Sequence, residues 1–353
     1  VFSVKFKNVH LEAFALNMPS VLVSSAEIED RVAPLYQRLG VPFGTLEKLS
    51  GVNTRGFFSK EETPSVIATE AAKKCLAKTK IRVDQLGALF SCSVTRDYFE
   101  PATALLVHRN LGIPETSLAF DISNACIGFS NGLVMLGNLI ESGVVKAGLV
   151  VSGENLTPIM ETTFDLLLKS DNIDRKQFLE MMPTFTLGSG AVAAILCHSD
   201  IATSSTKLIA STARSASQHN ELCVGNGDFC FNQQLGLHPL MATDSQKLIS
   251  SAAKLGNRIW QDATKLLEWT ADDIDHIICH QVGKQVNSLF YETVGLPIEK
   301  EYTIYQKYGN LVSAALPSAL FSAAEEGVFK TGQKVLTMGY GSGLNSMFNG
   351  YIW

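Results

Sequence analysis

In DISNACIGFSNG, Asp121 to Gly132, a thiol stands where the apolar run Leu118-Ala119-Phe120 gives way to small residues and then a helix-like pattern. A cysteine at the start of a helix sees the positive end of the macrodipole, which favours thiolate and makes a nucleophile. The competing reading is that Cys126 only packs, as most buried cysteines do. Two residues elsewhere offer complementary chemistry: His280 in IICHQV and Asn310 in YQKYGNLVSAALPSAL. A thiolate can attack an acyl carbonyl while an imidazole and an amide donate hydrogen bonds to oxygens that gain negative charge. A cysteine protease uses the same three residue types, with the asparagine orienting the histidine. A core histidine is the plain alternative for His280.

His276 and His280 have zinc-like spacing for a helix, but Ile277-Ile278-Cys279 reads as strand, where four residues span ~13 Å. No metal is expected. The glycine-rich MGYGSGLNS, Met338 to Ser346, is followed by the strand-like LNSMFNGYIW and not by the helix that a dinucleotide-binding loop requires. Such a loop also serves to aim backbone N–H groups at an oxyanion. In TRDYFEPAT, Thr95 to Thr103, Glu100 precedes Pro101, which is placed to open the next helix. A solvated surface glutamate is the plain reading of Glu100.

The elements that position these residues occur twice. VDQLGALFSCSV (Val83 to Val94) and ADDIDHIICHQV (Ala271 to Val282) each pair an acidic turn with a short apolar run, 188 residues apart (271 − 83). Each follows a helix-like segment, Thr63 to Lys78 and Ser245 to Trp269. ESGVVKAGLVVSG and EEGVFKTGQKVLTMGYG each end a helix at glycine, Gly143 and Gly327, before a strand; the offset is 184 (327 − 143). Uninterrupted apolar runs of this length read as buried strands of a parallel or mixed sheet. The pattern predicts a layered α/β fold from two duplicated halves, 1–200 and 201–353. Cys126 and Asn310 each stand 17 residues before the glycine of their half (143 − 126; 327 − 310). A pseudo-twofold axis would then bring both helix starts to one point, with His280 at the same end of the sheet.

Composition narrows the class. The 353 residues are 46% hydrophobic and 18% charged, enough for a large core and two domain-sized units. A net charge of −5 without a lysine or arginine block argues against nucleic acid. The longest uncharged stretch near the middle, Cys126 to Ile140, is broken by glycine, serine and asparagine, so no integral membrane segment is expected. VFSVKFKNVH lacks a basic segment followed by an apolar one, so no signal peptide is expected. Seven scattered cysteines without C-x-x-C argue against a disulfide framework and for a cytoplasmic setting.

Taken together, DISNACIGFSNG, HQV at His280, YGN ending at Asn310 and the terminal GYGSGLNS resemble the ketoacyl synthase III branch of the thiolase superfamily. The resemblance runs over nearly the whole chain. Within that branch, LYQRLGVPFGTLEKLSGV, SVTRDYFEPATA, TLGSGA and GSGLN are most similar to the acyl-CoA head-to-head condensing enzymes of bacterial long-chain olefin biosynthesis. The resemblance implies the five-layered α-β-α-β-α thiolase fold, a homodimer, and acyl-CoA thioesters as substrates with no further cofactor. It makes Cys126 the acylated nucleophile, with His280 and Asn310 hydrogen-bonding the second substrate. The backbone N–H groups of Cys126 and Ser342 would form the oxyanion hole, and Glu100 would enter the partner's active site as base.

The implied reaction is a non-decarboxylative Claisen condensation of two acyl-CoA molecules to a 2-alkyl-3-oxoalkanoate. The rivals are a decarboxylative synthase with a malonyl donor, a cysteine-dependent thioester hydrolase, and a non-catalytic dimer partner, which the intact Cys126, His280 and Asn310 oppose. Two departures stand out. Housekeeping synthases carry His-Gln-Ala-Asn and then an arginine two residues on, whereas this chain has His280-Gln281-Val282-Gly283, then Lys284 and Gln285. Its only tryptophans are Trp260, Trp269 and Trp353, so none stands near the start to stack on coenzyme A. Both argue against docking acyl carrier protein in the housekeeping manner.

Overall fold

The computed structural model describes residues 1–225 and 241–353. Its principal elements are β1 (Phe2–Lys5), β2 (Val9–Asn17), α1 (Pro64–Leu76), β3 (Ala88–Ser91), α2 (Thr103–Leu111), β4 (Leu118–Asp121), α3 (Gly128–Glu141), β5 (Ala147–Glu154) and β6 (Gly190–His198). They continue with β7 (Lys207–Ser215), α4 (Ser245–Leu267), β8 (His276–Cys279), α5 (Lys284–Val294), α6 (Ala315–Glu325), β9 (Lys334–Gly341) and β10 (Asn345–Ile352).

The strands repeat one topology. In the first half the order is β4-β3-β5-β6-β2, with β6 antiparallel to its neighbours. In the second it is β8-β9-β10-β7, with β10 antiparallel, and a parallel bridge from Ile277 to Glu301 fills the place that β4 holds in the first. His276 opens β8 188 residues after Ala88 opens β3 (276 − 88), the offset read in the sequence. Gly143 and Gly327 adopt φ of +75° and +72°, the left-handed stop that the repeat requires. One strand crosses the division: β1 pairs antiparallel with β7 of the second half, and β2 meets β7 at the single pair His10–Lys207.

Five layers follow from where the apolar residues lie. β5 (AGLVVSGE) is buried at every position, as a strand covered on both faces must be. Helices α3 and α6 are apolar nearly all round and fill the middle layer; α3 touches β3, β5, β6 and β10, and α6 touches β2, β6, β8 and β9. α1 covers the outer face of the first sheet. α4, amphipathic with Ala252, Leu255, Ile259 and Ala263 inward, covers the second, packed beside α5. A satellite cluster around Tyr36, Phe164, Phe178 and Phe185 joins helices at Ser25–Leu39 and Thr157–Met181. No helix among the described residues is long and apolar enough to cross a membrane. Six cysteines are free thiols, and the seventh, Cys230, lies outside the described residues.

Gly132 shows how tightly the middle layer is set. A Cβ there would stand 2.5 Å from the Cys92 Sγ and 2.8 Å from a Val150 methyl, both wholly buried. Alanine gains about 1 kcal/mol of helix propensity over glycine, but overpacking a closed site costs about 1–3 kcal/mol. Gly132→Ala is expected to lower stability by up to about 2 kcal/mol, read as a lower urea midpoint at unchanged slope.

Candidate active site

Cys126 sits in a turn held by both halves. Ala125 takes φ of +46°, a left-handed conformation uncommon for a residue with a Cβ, and α3 begins two residues after Cys126. From the second half, Gly341 at the end of β9 lies under the turn: a Cβ there would be 3.1 Å from the Cys126 nitrogen. The Asn345 amide donates to the Asn124 side-chain oxygen at 2.9 Å, and Asn124 in turn donates to Asn131 at 2.8 Å. Among the described residues, neither the Cys126 N–H nor the Ser342 N–H donates to another residue, the former lying against its own sulfur.

His280 follows β8 directly and is buried. Its backbone N–H donates to Met338 at 2.9 Å, and its ring meets Tyr340 edge-on at 5.0 Å, one residue before Gly341. Its Nδ1 is buried without a partner among the described residues. Asn310 is fixed by its backbone, donating to the Thr186 carbonyl at 2.8 Å and accepting from the Gly188 N–H at 3.0 Å. Its Oδ1 accepts from the Val312 N–H at 2.9 Å, which commits the amide oxygen to the turn and leaves the NH2 as its donor group. Asn310 does not open α6 directly, because a short 3-10 turn, Val312–Ala314, intervenes, with Val312 at φ +54°.

Glu100 is exposed in the single chain, on a loop that also exposes Tyr98 (58%) and Phe99 (73%). The loop has firm posts. Asp97 accepts from the Ser65 N–H and hydroxyl at 2.8 and 2.6 Å. Asp121 accepts from the Thr103 and Ala104 N–H groups at 2.9 and 2.8 Å, which starts α2 at Thr103 and not at Pro101. Sequence reasoning missed Glu154, wholly buried at the end of β5 and bonded to Val94, Thr95 and Ser313. Its signal was a charged residue closing an otherwise apolar strand. Arg55, also wholly buried, lies against the Asn310 turn: a Cβ on Gly309 would meet the Arg55 Cβ at 3.1 Å. Among the described residues no three His, Cys, Asp or Glu side chains are grouped to hold a metal ion.

Residues 120–217 match the 3-oxoacyl-[acyl-carrier-protein] synthase III family, and residues 265–348 match the C-terminal part of the same synthases. An acyl-CoA:acyl-CoA alkyltransferase of Shewanella oneidensis is 35% identical, over 99% of this chain and 100% of the relative. The chain belongs to the 3-oxoacyl synthase III family. A second acyl-CoA:acyl-CoA alkyltransferase, from Xanthomonas campestris, is 32% identical over 99% of both chains. A beta-ketoacyl-[acyl-carrier-protein] synthase III of Neisseria gonorrhoeae is 27% identical over 83% of this chain and 85% of its own. Among solved structures, cerulenin-bound Xanthomonas campestris OleA superposes with a TM-score of 0.93 at 31% identity, over 99% of this chain and 98% of that one. OleA with a cysteine-to-serine substitution and bound lauric acid and lauroyl-CoA gives 0.92 at 31%, over 99% and 100%.

In this synthase III family member the electrostatics run against one expectation. Burial, then the neighbouring Cys223 and Glu154, push the Cys126 thiol above its ordinary range. The helix-start lowering foreseen from the sequence is outweighed, because removing a thiolate from water costs more than one helix end returns. Burial lowers the His280 pKa to about 3, so its ring is neutral and donates from one nitrogen only. Alkylation of Cys126 by iodoacetamide is therefore expected to accelerate continuously from pH 7 to 9, followed by intact mass. A plateau below pH 8 would show a thiolate already formed.

Proposed function

We propose that this enzyme joins two acyl-CoA molecules head to head by non-decarboxylative Claisen condensation. What supports the reading is the Cys126 turn: a thiol whose own N–H and the Ser342 N–H bond no other residue among the described ones, where the two halves meet. Two such N–H groups suit an oxyanion as the tetrahedral intermediate forms. Cys126 gives up its proton and attacks the first acyl-CoA; coenzyme A leaves as the thiol, and the acyl group stays on sulfur. The second acyl-CoA loses an α-proton, and the neutral His280 and the Asn310 NH2 donate to its enolate oxygen. The enolate carbon attacks the Cys126 thioester, sulfur departs, and hydrolysis of the product thioester yields the 2-alkyl-3-oxoalkanoate.

An α-proton of a thioester is weakly acidic, so the step needs a placed base. We assign that base to the partner subunit's Glu100 in a homodimer. Phe99 and Tyr98 beside it, with Leu118 (48%) and Phe120 on the unpaired edge of β4, form an apolar surface of the kind a second subunit covers. In OleA, the glutamate and the cysteine substituted in solved forms stand as far apart in sequence as Glu100 and Cys126 do here. Free thiols on the described cysteines support a cytoplasmic enzyme, and the likeness to OleA supports a place in olefin biosynthesis and lipid metabolism.

Intact mass after treatment with one acyl-CoA is expected to show a single acyl adduct, absent in Cys126→Ser. His280→Ala and Asn310→Ala are expected to lose about a hundredfold or more in condensation while acylation falls less, as befits donors to the enolate. Equal losses in both half-reactions would assign them a general structural role. Glu100→Ala is expected to keep the adduct and lose condensation by at least about a hundredfold. Mixing it with Cys126→Ala subunits is expected to restore part of the activity, because one site of the mixed dimer holds Cys126 and a partner glutamate. Wild-type condensation by Glu100→Ala would favour a decarboxylative synthase that draws its carbanion from a malonyl thioester.

A further inference from the structure

Glu154 has no part in the chemistry above, yet its surroundings are unusual for a buried carboxylate. It is wholly buried, and none of its bonded partners is a cation. Oε1 accepts from the Val94 N–H at 2.8 Å and from the Ser313 hydroxyl; Oε2 accepts from the Thr95 N–H at 3.0 Å and the Thr95 hydroxyl at 2.8 Å. Burial pushes the Glu154 carboxyl above its ordinary pKa, and the four donors work against that shift by favouring the anion.

Those donors come from two places that matter to the proposed reaction. Val94 and Thr95 form the root of the loop that carries Glu100, and the adjacent Ser93 hydroxyl is bound by the Gly153 N–H at 2.8 Å. Ser313 lies in the 3-10 turn after Asn310, beside the Val312 N–H that holds the Asn310 amide oxygen, and it also contacts the Ser152 hydroxyl at 2.7 Å. One carboxylate thus ties the first-half loop to the second-half turn.

We infer that Glu154 is a positioning residue for condensation: it sets the Glu100 loop and the Asn310 turn in fixed relation, and so acts on the second half-reaction without touching substrate. The inference rests on the reaction proposed above. Glutamine cannot replace it, because either orientation of the amide turns an NH2 toward a backbone N–H, of Val94 or of Thr95. Ser313→Ala cuts the link to the Asn310 turn, and with it the Ser152 contact, while the Val94 and Thr95 donors to Glu154 stay in place.

The test uses the full chain as Glu154→Gln and Ser313→Ala, with folding checked by circular dichroism and thermal melting. Both variants are expected to form the Cys126 acyl adduct within about threefold of the parent rate. Condensation is expected to fall about tenfold or more, the usual scale for a lost hydrogen bond to a charged group. A second readout separates positioning from general damage. Among the described residues, Cys223, Glu154 and Tyr340 couple electrostatically to the Cys126 thiol. Removing the Glu154 charge is therefore expected to move the iodoacetamide profile of Cys126 to lower pH, whereas Ser313→Ala leaves it in place. Parental condensation by either variant overturns the inference, as do equal losses of adduct and condensation, or an unmoved profile in Glu154→Gln. Should Glu154→Gln not fold, Ser313→Ala alone decides. Should the parent yield no condensation product, the proposed reaction fails first, and the alkylation profile still reports on Glu154.

Discussion

Gly341 has no side chain, and the Cys126 turn packs closely against it. The 3.1 Å between the Cys126 nitrogen and that missing Cβ is the point at which the second half of the molecule supports the Cys126 turn of the first. Everything around it serves that approach. The Asn345 to Asn124 bond crosses the same seam, and α3 and α6 share the middle layer beneath it. The left-handed Ala125 turns the chain so that the Cys126 N–H is left free of the helix ladder. Backbone strain of roughly 1–3 kcal/mol at such a residue persists only where surrounding packing over-determines it, and here contacts from both halves do so.

The site is polar without being rich in charge. A neutral imidazole, a committed amide and two N–H groups that bond no other described residue offer donors, and the Glu154 carboxylate is spent on four donors of its own. That composition suits a reaction whose intermediates are an oxyanion and an enolate, both of which need fixed donors in a dry setting. It also explains why the resting thiol is protonated. The same burial that strengthens each hydrogen bond to a developing oxyanion penalises a standing thiolate.

Much of this was legible in the sequence because duplication leaves a numerical trace. The 188-residue offset places β3 and β8 at once, and the paired glycines mark the ends of two equivalent segments in the left-handed conformation. Cys126, His280 and Asn310 were legible as residue types at the right distance from those marks. What the sequence hid were relations between distant positions. Glu154 reads as a strand-end charge until Val94 and Thr95, some sixty residues earlier, and Ser313, 159 residues later, arrive around it. The direction of the Cys126 pKa depends on burial, a property of the assembled layers and not of the helix that follows the cysteine. β1 joins the sheet of the opposite half because residues between Lys5 and Val9 pass from β7 to β6, a crossing that no local pattern announces.

The two halves share a topology, and the site depends on where they differ. In the first half α3 starts two residues beyond Cys126, so the nucleophile and its backbone N–H stand together at the helix entrance. In the second half the 3-10 turn at Val312–Ala314 spaces Asn310 five residues from α6, and its Oδ1 is tied back to the Val312 N–H. The equivalent position therefore presents a side-chain NH2 in place of a thiol. The short turn breaks that symmetry: one half places a thiol beside its own backbone N–H, and the other places an amide NH2 at the equivalent position.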